Sequence, residues 1–211
     1  MQEIQVTGVA PREKGRVYIR FEDGVEMELY RSELGKLTGE ERALLLREGA
    51  YVPEELYRKL LTEILGIRVK KRALFLLERM DRTEQQLYEK LRSSGYPECC
   101  VGEAVAYVKK YHYIDDLKYA KNYVRCQQQR KSRQRLGLDL MRKGVPRDLI
   151  EQALEEEFVS DEREKIRALL EKRHYDGGSA DRREQQRIYQ FLMRRGYKSG
   201  DILAVMRQLC G

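Results

Sequence analysis

Apolar and polar residues alternate over residues 17–21 and 25–29, and a similar apolar segment covers residues 4–9. An alternation of period two predicts half-buried β-strands. The Asp-Gly pair at residues 23–24 favours a tight hairpin turn between two of these segments. The pattern therefore predicts a three-stranded antiparallel meander.

Two short helices are predicted to follow the strands. Thr38 begins the first, which ends near Gly49, and Pro53 begins the second, which ends near Leu65. A three-stranded sheet is too small to be stable on its own. We therefore expect these helices to pack against the sheet.

The rest of the chain follows a helical period, and its pattern occurs three times. Gly95, Gly144 and Gly196 lie 49 and 52 residues apart, and apolar residues occupy the same five positions around each glycine. Apolar residues four apart form one helix face, and a glycine can end that helix because it adopts the left-handed conformation without strain. Pro97 and Pro146 suit the first turn of the next helix. With a preceding helix, each repeat is predicted to be a three-helix bundle.

The predicted fold is therefore mainly α: a tandem array of three three-helix bundles in an extended arrangement, preceded by a small β-meander with short helices. One such bundle buries little surface alone, so stacking between neighbours should add to stability. The predicted domains are residues 1–66 for the strand-rich region and residues 67–115, 116–158 and 159–211 for the three bundles.

Charge is distributed unevenly along the 211 residues. The net charge of +7 divides into −3 over residues 1–66 and +10 over residues 67–211. A basic surface is expected for a protein that binds a polyanion or an acidic partner, although solvated helix faces give the same composition. Neither a secretory signal nor an apolar run of membrane-spanning length is visible. These features predict a soluble, cytoplasmic protein with no membrane contact.

Three segments of the repeats resemble the RecX family of recombinase regulators. Residues 113–125, which contain Tyr-Ile-Asp-Asp followed by Tyr-Ala and Tyr-Val-Arg, are similar to the family's most recognisable signature. Residues 73–91 resemble its first unit, and residues 131–145 continue the second. The family usually has Gly-Pro where this chain has Ser132 and Arg133.

The resemblance implies a function that composition does not reveal. RecX proteins bind RecA and lie in the groove of the RecA–single-stranded DNA filament, where they restrain strand exchange and the filament's co-protease activity. We therefore expect a non-catalytic, monomeric regulator without a cofactor, which contacts RecA and the single-stranded DNA of the filament, with weak direct DNA binding as an addition.

A basic helical module that acts on DNA directly is the alternative. It would use the three-helix units as helix-turn-helix readers and would bind duplexes tightly. The acidic end of the third helix in the second unit, residues 155–157, disfavours this alternative.

Residues 117–138 contain seven basic residues and no acidic one. Three of them fall on one helical stripe next to an apolar stripe, so the basic stripe should face outward. The functional interpretation is contact with filament phosphates or with an acidic RecA surface; a solvated face is the alternative. The candidate contact residues are Lys118, Lys121, Arg125, Arg130, Lys131, Arg133 and Arg135.

Tyrosines and aspartates in the same region have two interpretations each. Tyr119 and Tyr123 could stack on bases, but helical spacing favours packing. Asp115 and Asp116 could act in acid–base or metal chemistry, but their position before a helix favours an N-cap and a first-turn acid.

No enzymatic machinery is visible in the sequence. The two histidines are isolated, and Cys99, Cys100, Cys126 and Cys210 lack the spacing of zinc ligands. We expect the cysteines to be buried small hydrophobes. The basic run at residues 68–72 is predicted to lie on the outer face of the first bundle, as a secondary candidate for binding.

Overall fold

The computed structural model describes residues 3–209. The chain forms two compact units, the first ending at Ile114 and the second beginning at Asp115. The first unit holds the strands and one bundle, and the second unit holds two bundles. The predicted division into four domains stays a prediction.

The N-terminal strands form a four-stranded antiparallel sheet in the order β3-β2-β1-β4. The meander β1–β2–β3 is as predicted, but the prediction of three strands is wrong, because a short fourth strand pairs with the start of β1. Three residues are too few to show an alternation, so no pattern of apolar and polar residues predicts this strand. The strands are β1 (Glu3–Arg12), β2 (Arg16–Phe21), β3 (Glu26–Tyr30) and β4 (Tyr51–Pro53).

Three short helices follow, α1 (Arg31–Leu34), α2 (Gly39–Leu45) and α3 (Glu54–Lys59). Thr38 begins α2 as predicted, since its side chain accepts a hydrogen bond from the backbone N–H of Glu41. These helices and the inner face of the sheet share one apolar core with the first bundle.

The predicted helix end near Leu65 is wrong. The chain passes from α3 through a π-helical segment, Leu60–Leu65, directly into the next helix. Gly66 adopts the right-handed helical conformation (φ −56°, ψ −44°), and its N–H donates to the carbonyl of Leu61. A glycine that keeps helical dihedrals does not end a helix, so the strand-rich region and the first bundle are joined by continuous helix.

Three bundles of three helices follow, as the repeats predicted. The first bundle is α4 (Gly66–Arg79), α5 (Glu84–Arg92) and α6 (Glu98–Lys110). The second is α7 (Asp116–Gln127), α8 (Arg133–Arg142) and α9 (Arg147–Glu157). The third is α10 (Glu162–Glu171), α11 (Arg182–Arg194) and α12 (Ser199–Gln208).

The repeat glycines perform the predicted role. Gly95, Gly144 and Gly196 follow the second helix of their bundles with φ between +80° and +82°. After α8 the N–H of Val145 donates back to Leu140 O over 3.1 Å. This hydrogen bond closes the helix end once the glycine has reversed the chain.

Within the second unit, the start of α8 joins the second and third bundles. Ser132 is the N-cap of α8: its Oγ accepts from the N–H of Arg135 (3.2 Å) and donates to the carbonyl of Arg195 (2.7 Å). Glu162 of α10 accepts from the N–H of Arg133 over 2.8 Å. At the departure from the family's usual Gly-Pro, this chain therefore has a regular helix cap that also contacts the next bundle.

Candidate functional site

The basic stripe begins on α7, whose apolar face fixes its orientation. Ala120 and Val124 are buried in the core of the second bundle. Asp115 accepts a hydrogen bond from the N–H of Lys118 over 2.9 Å, and Asp116 is the first helical residue. The N-cap interpretation of these two carboxylates is confirmed, and the stripe lies on the side of α7 away from the buried residues.

Two of the α7 cations have carboxylate partners on α9. Lys121 Nζ lies 2.5 Å from Glu156, and Arg125 forms a two-pronged pair with Glu157 at 2.8 and 3.0 Å. The hydrogen bond from Lys121 lowers the pKa of Glu156, and the hydrogen bond to Glu157 raises the pKa of Arg125. The interpretation of the stripe as lacking counter-charges is therefore wrong, because α9 supplies them.

A second group of cations surrounds Asp139 on α8. Lys131 Nζ lies 2.8 Å from Asp139 and 2.7 Å from the hydroxyl of Tyr123, and Arg135 Nε lies 3.2 Å from the same carboxylate. Hydrogen bonding to Asp139 raises the pKa of Lys131. Burial acts to raise the pKa of Asp139, but its contacts with Lys131 and Arg135 outweigh burial and hold the pKa below its ordinary value.

The other three candidate residues differ from one another. Arg133 donates from Nη1 to the carbonyl of Leu154 over 2.9 Å, so its guanidinium ties the start of α8 to the end of α9. Lys118 and Arg130 are exposed, and the described residues place no carboxylate within ion-pair distance of either. Five of the seven candidates are thus held by contacts inside the unit, and these two are the most available to a partner.

The chemistry of this surface is that of a partly neutralised cationic patch. Four of the seven candidate cations pair with three carboxylates, those of Asp139, Glu156 and Glu157, so positive charge remains in excess. Arg125 keeps 60% of its side chain exposed despite its pair. An anionic partner could bind here only by competing with, or adding to, the internal ion pairs.

Tyr119 and Tyr123 pack against the core of the second bundle, so the packing interpretation is confirmed. The Lys143 ammonium lies 5.8 Å from the centre of the Tyr119 ring and 5.3 Å from that of Tyr123. Both rings are therefore occupied by contacts within the bundle.

The cysteines are not all buried. Cys100 is buried as expected, its thiol lies 3.4 Å from the Leu61 carbonyl, and burial raises its pKa to about 12. Cys99 and Cys126 are exposed, so the expectation of burial is wrong for them, and Cys210 lies outside the described residues. Residues 3–209 contain no cluster of three potential metal ligands.

The basic run at residues 68–72 divides into two parts. Arg68 points inward, where it pairs with Glu33 at 2.7 Å and donates to the carbonyl of Glu28, so its predicted place on an outer face is wrong. Lys70, Lys71 and Arg72 remain at the surface of α4. The sequence alone did not distinguish Arg68 from its exposed neighbours, because its partner Glu33 lies 35 residues away along the chain.

No helix within the described part of the chain is long and apolar enough to cross a membrane.

Family models match each of the three bundles. The models described as RecX first, second and third three-helix domain match residues 70–107, 115–154 and 161–206. Together these segments span more than half of the chain.

Individual proteins match over nearly their whole length. A regulatory protein RecX from Caldanaerobacter subterraneus subsp. tengcongensis is 32% identical and covers 93% of this chain and 95% of its own. A shorter one from Vibrio campbellii is also 32% identical, over 70% of this chain and 94% of its own.

Solved structures show the same fold. A crystal structure of RecX from Lactobacillus salivarius has a TM-score of 0.59 and 27% identity over 69% of this chain and 96% of that chain. A crystal structure of a regulatory protein RecX has a TM-score of 0.64 and 23% identity and covers 96% of this chain and 98% of its own. At this identity the match shows a similar fold only.

Proposed function

We propose, because this chain belongs to the RecX family of regulatory proteins, that it binds the RecA–single-stranded DNA filament and restrains strand exchange and co-protease activity. The protein acts in this proposal as a monomer, without catalysis, in the cytoplasm where RecA assembles. Family membership across all three bundles is the observation that carries the proposal.

The distribution of charge supports a partner that consists of protein and nucleic acid together. The basic excess is spread over residues 67–211, while acidic residues on α8 and α9 neutralise part of it. A surface that binds phosphates alone gains from every unpaired cation. Internal pairing on α7 and α8 therefore favours a mixed contact in which RecA side chains share the binding with DNA phosphates.

Direct reading of duplex DNA is less well supported. Glu155, Glu156 and Glu157 lie at the end of α9, and two of them hold the α7 cations. These carboxylates would face phosphates if α7 and α9 approached a duplex together, and like charges repel. Tight binding of the chain to naked duplex DNA would favour this alternative.

The test is RecA activity in the presence of the full chain. We expect sub-stoichiometric protein to slow ATP hydrolysis by preassembled filaments and to reduce strand exchange. The double variant Lys118→Glu/Arg130→Glu should weaken this effect about tenfold or more, because two available cations become repulsive.

Arg147→Glu is the matched control, since Arg147 is also exposed on the second bundle but lies outside the candidate set. Unchanged ATP hydrolysis and strand exchange with the wild-type chain would contradict the proposal. Equal inhibition by the double variant would place the contact on another surface, and equally tight binding to naked duplex would favour the alternative.

A further inference from the structure

A groove with an apolar floor lies between α8 and α9 of the second bundle. It has a volume of about 530 Å³ and reaches the third bundle, which belongs to the same compact unit. Leu138 and Met141 of α8 line it and keep 40% and 55% of their surface exposed. The α8–α9 groove is defined here by Gly137, Leu138, Met141, Ile150 and Leu154, together with Lys198 of the third bundle.

Neither the backbone nor the packing of α8 requires a glycine at residue 137. Gly137 lies in the interior of α8, without a positive φ. An added Cβ would lie 3.6 Å from Leu154 Cδ1 and 3.7 Å from Ile150 Cγ2, which is ordinary van der Waals contact. A glycine inside a helix is destabilising relative to alanine. The residue is therefore explained by the open space that it leaves and not by the fold.

The other two bundles have a tyrosine at the position of Gly137. Tyr88 and Tyr189 stand, like Gly137, seven residues before the repeat glycine of their bundle. The Tyr88 hydroxyl donates to Glu98, the first residue of α6, over 2.6 Å. The Tyr189 hydroxyl donates in the same way to Ser199, the first residue of α12, over 2.9 Å. Each tyrosine packs against the core and connects the second and third helices of its bundle, whereas the second bundle leaves this space open.

A second difference between the bundles makes the open groove apolar. One residue further along, the first and third bundles have the polar residues Glu89 and Gln190, whereas the second bundle has Leu138. Together with Met141, Leu138 forms an exposed apolar wall beside the open space. Contiguous exposed apolar surface with a polar rim is typical of an interaction site.

We propose that the α8–α9 groove receives one aromatic side chain of the RecA protein in the filament, which takes the place of the missing tyrosine. The inference rests on the proposed function for the identity of this partner. Tyr88 and Tyr189 show that an aromatic ring fits between the second and third helices of this architecture. An aromatic anchor in a preformed pocket is a common centre of binding energy in protein interfaces.

The charges at the groove favour a protein segment with an acidic residue near its aromatic one. Lys198 is exposed, and no carboxylate among the described residues forms an ion pair with it. Nucleic acid fits less well, because Glu151 and Glu162 also line the groove and repel phosphates. The aliphatic floor likewise suits an apolar side chain better than a phosphate backbone.

The experiment measures binding of the labelled full chain to RecA filaments preassembled on single-stranded DNA. Gly137→Tyr supplies the tyrosine of the other bundles from within the chain, and we expect it to weaken binding about 30-fold, because the groove is then filled. Leu138→Gln, which introduces the residue type of the third bundle, should weaken binding about tenfold. Both factors should be nearly the same at low and high salt, because salt screens charges and not apolar contacts.

Gly102→Tyr is the matched control, because Gly102 is a helical glycine of the first bundle with open space around it, and we expect wild-type binding. Circular dichroism and urea unfolding of each variant check that the fold is intact, and Leu138→Gln alone decides if Gly137→Tyr does not fold.

Three results would overturn the inference. Wild-type filament binding by a folded Gly137→Tyr variant would overturn it and leave the proposed function intact, whereas a wild-type chain that does not bind filaments would overturn both. If Gly137→Tyr weakened binding to naked single-stranded DNA by the same factor, the groove would hold a base. If it abolished self-association of the wild-type chain, the groove would hold a second copy.

Discussion

Gly196 has two structural roles at the residue scale. Its φ of +82° ends α11 in a conformation that other residues adopt only with strain. An added Cβ would also lie 2.8 Å from Ser132 Oγ, the side chain that caps α8 and donates to the carbonyl of Arg195. The residue that ends one helix therefore also allows the contact between two bundles.

We predict that Gly196→Ala destabilises the protein by about 2–4 kcal/mol, from left-handed strain of about 1–2 kcal/mol and from steric overlap with Ser132. Gly95→Ala is the control, because Gly95 has φ +80° and open space around its Cα, so strain alone should act. Urea unfolding of the two variants measures the difference. Equal losses of stability would show that the Ser132 contact does not constrain residue 196.

Residue-level prediction from sequence succeeded where the cause is local. The cap at Asp115 depends on residues within one helical turn, and the role of each repeat glycine depends on its own dihedral angles. The partner of Arg125 is Glu157, 32 residues away. Whether such residues meet depends on how α7 packs on α9, and no local pattern encodes that.

At the scale of the elements, a partly buried ion pair and the hydroxyl of Tyr123 connect α8 to α7. Asp139 keeps 12% of its side chain exposed and contacts Lys131, while the Tyr123 hydroxyl from α7 contacts both. The network joins the end of the α7–α8 connection to the middle of α8. A charge-assisted network of this kind stabilises the packing only while the carboxylate is ionised.

We predict that Asp139→Asn lowers the free energy of unfolding by about 1–3 kcal/mol at pH 7. The folded-state pKa of Asp139 lies below its ordinary value, so its stabilisation is present above the unfolded pKa of about 3.9 and is lost as pH falls through the folded pKa. The difference between wild type and variant should therefore shrink below about pH 4.

Chemical denaturation between pH 7 and pH 3 measures this effect. Asp148→Asn serves as a control for an exposed acid of the same bundle. A wild-type–variant difference that stays constant over the whole range would show that ionisation of Asp139 is not what stabilises the contact.

The helices were easier to predict than their ends and neighbours. Nine helices of the described bundles follow from apolar periodicity, because each buries one face in an apolar core, which the first bundle shares with the sheet. The prediction that a helix ends near Leu65 is wrong, because Gly66 keeps helical dihedral angles and the helix continues into α4. β4 was missed because its three residues depend on β1 for their conformation.

At the scale of the whole molecule, the chain presents two basic surfaces whose cations have different partners. On the second bundle two α7 cations, Lys121 and Arg125, are paired with α9 carboxylates. On the first bundle Arg72 and Arg79 of α4 contact the ring of Phe75. Composition predicted a basic protein but not this difference. The sequence predicts the candidate site on α7 and α8, whereas the α9 carboxylates that neutralise part of it are seen only in the structure.

Retention on assembled filaments tests the central claim most directly. RecA filaments formed on single-stranded DNA with a slowly hydrolysed ATP analogue are sedimented with the full chain, beside the same DNA without RecA. We predict that the chain sediments with the filaments in a saturable manner and at concentrations at which naked DNA retains little of it. A chain that stays in the supernatant with filaments, or that sediments equally with naked DNA, would contradict the account.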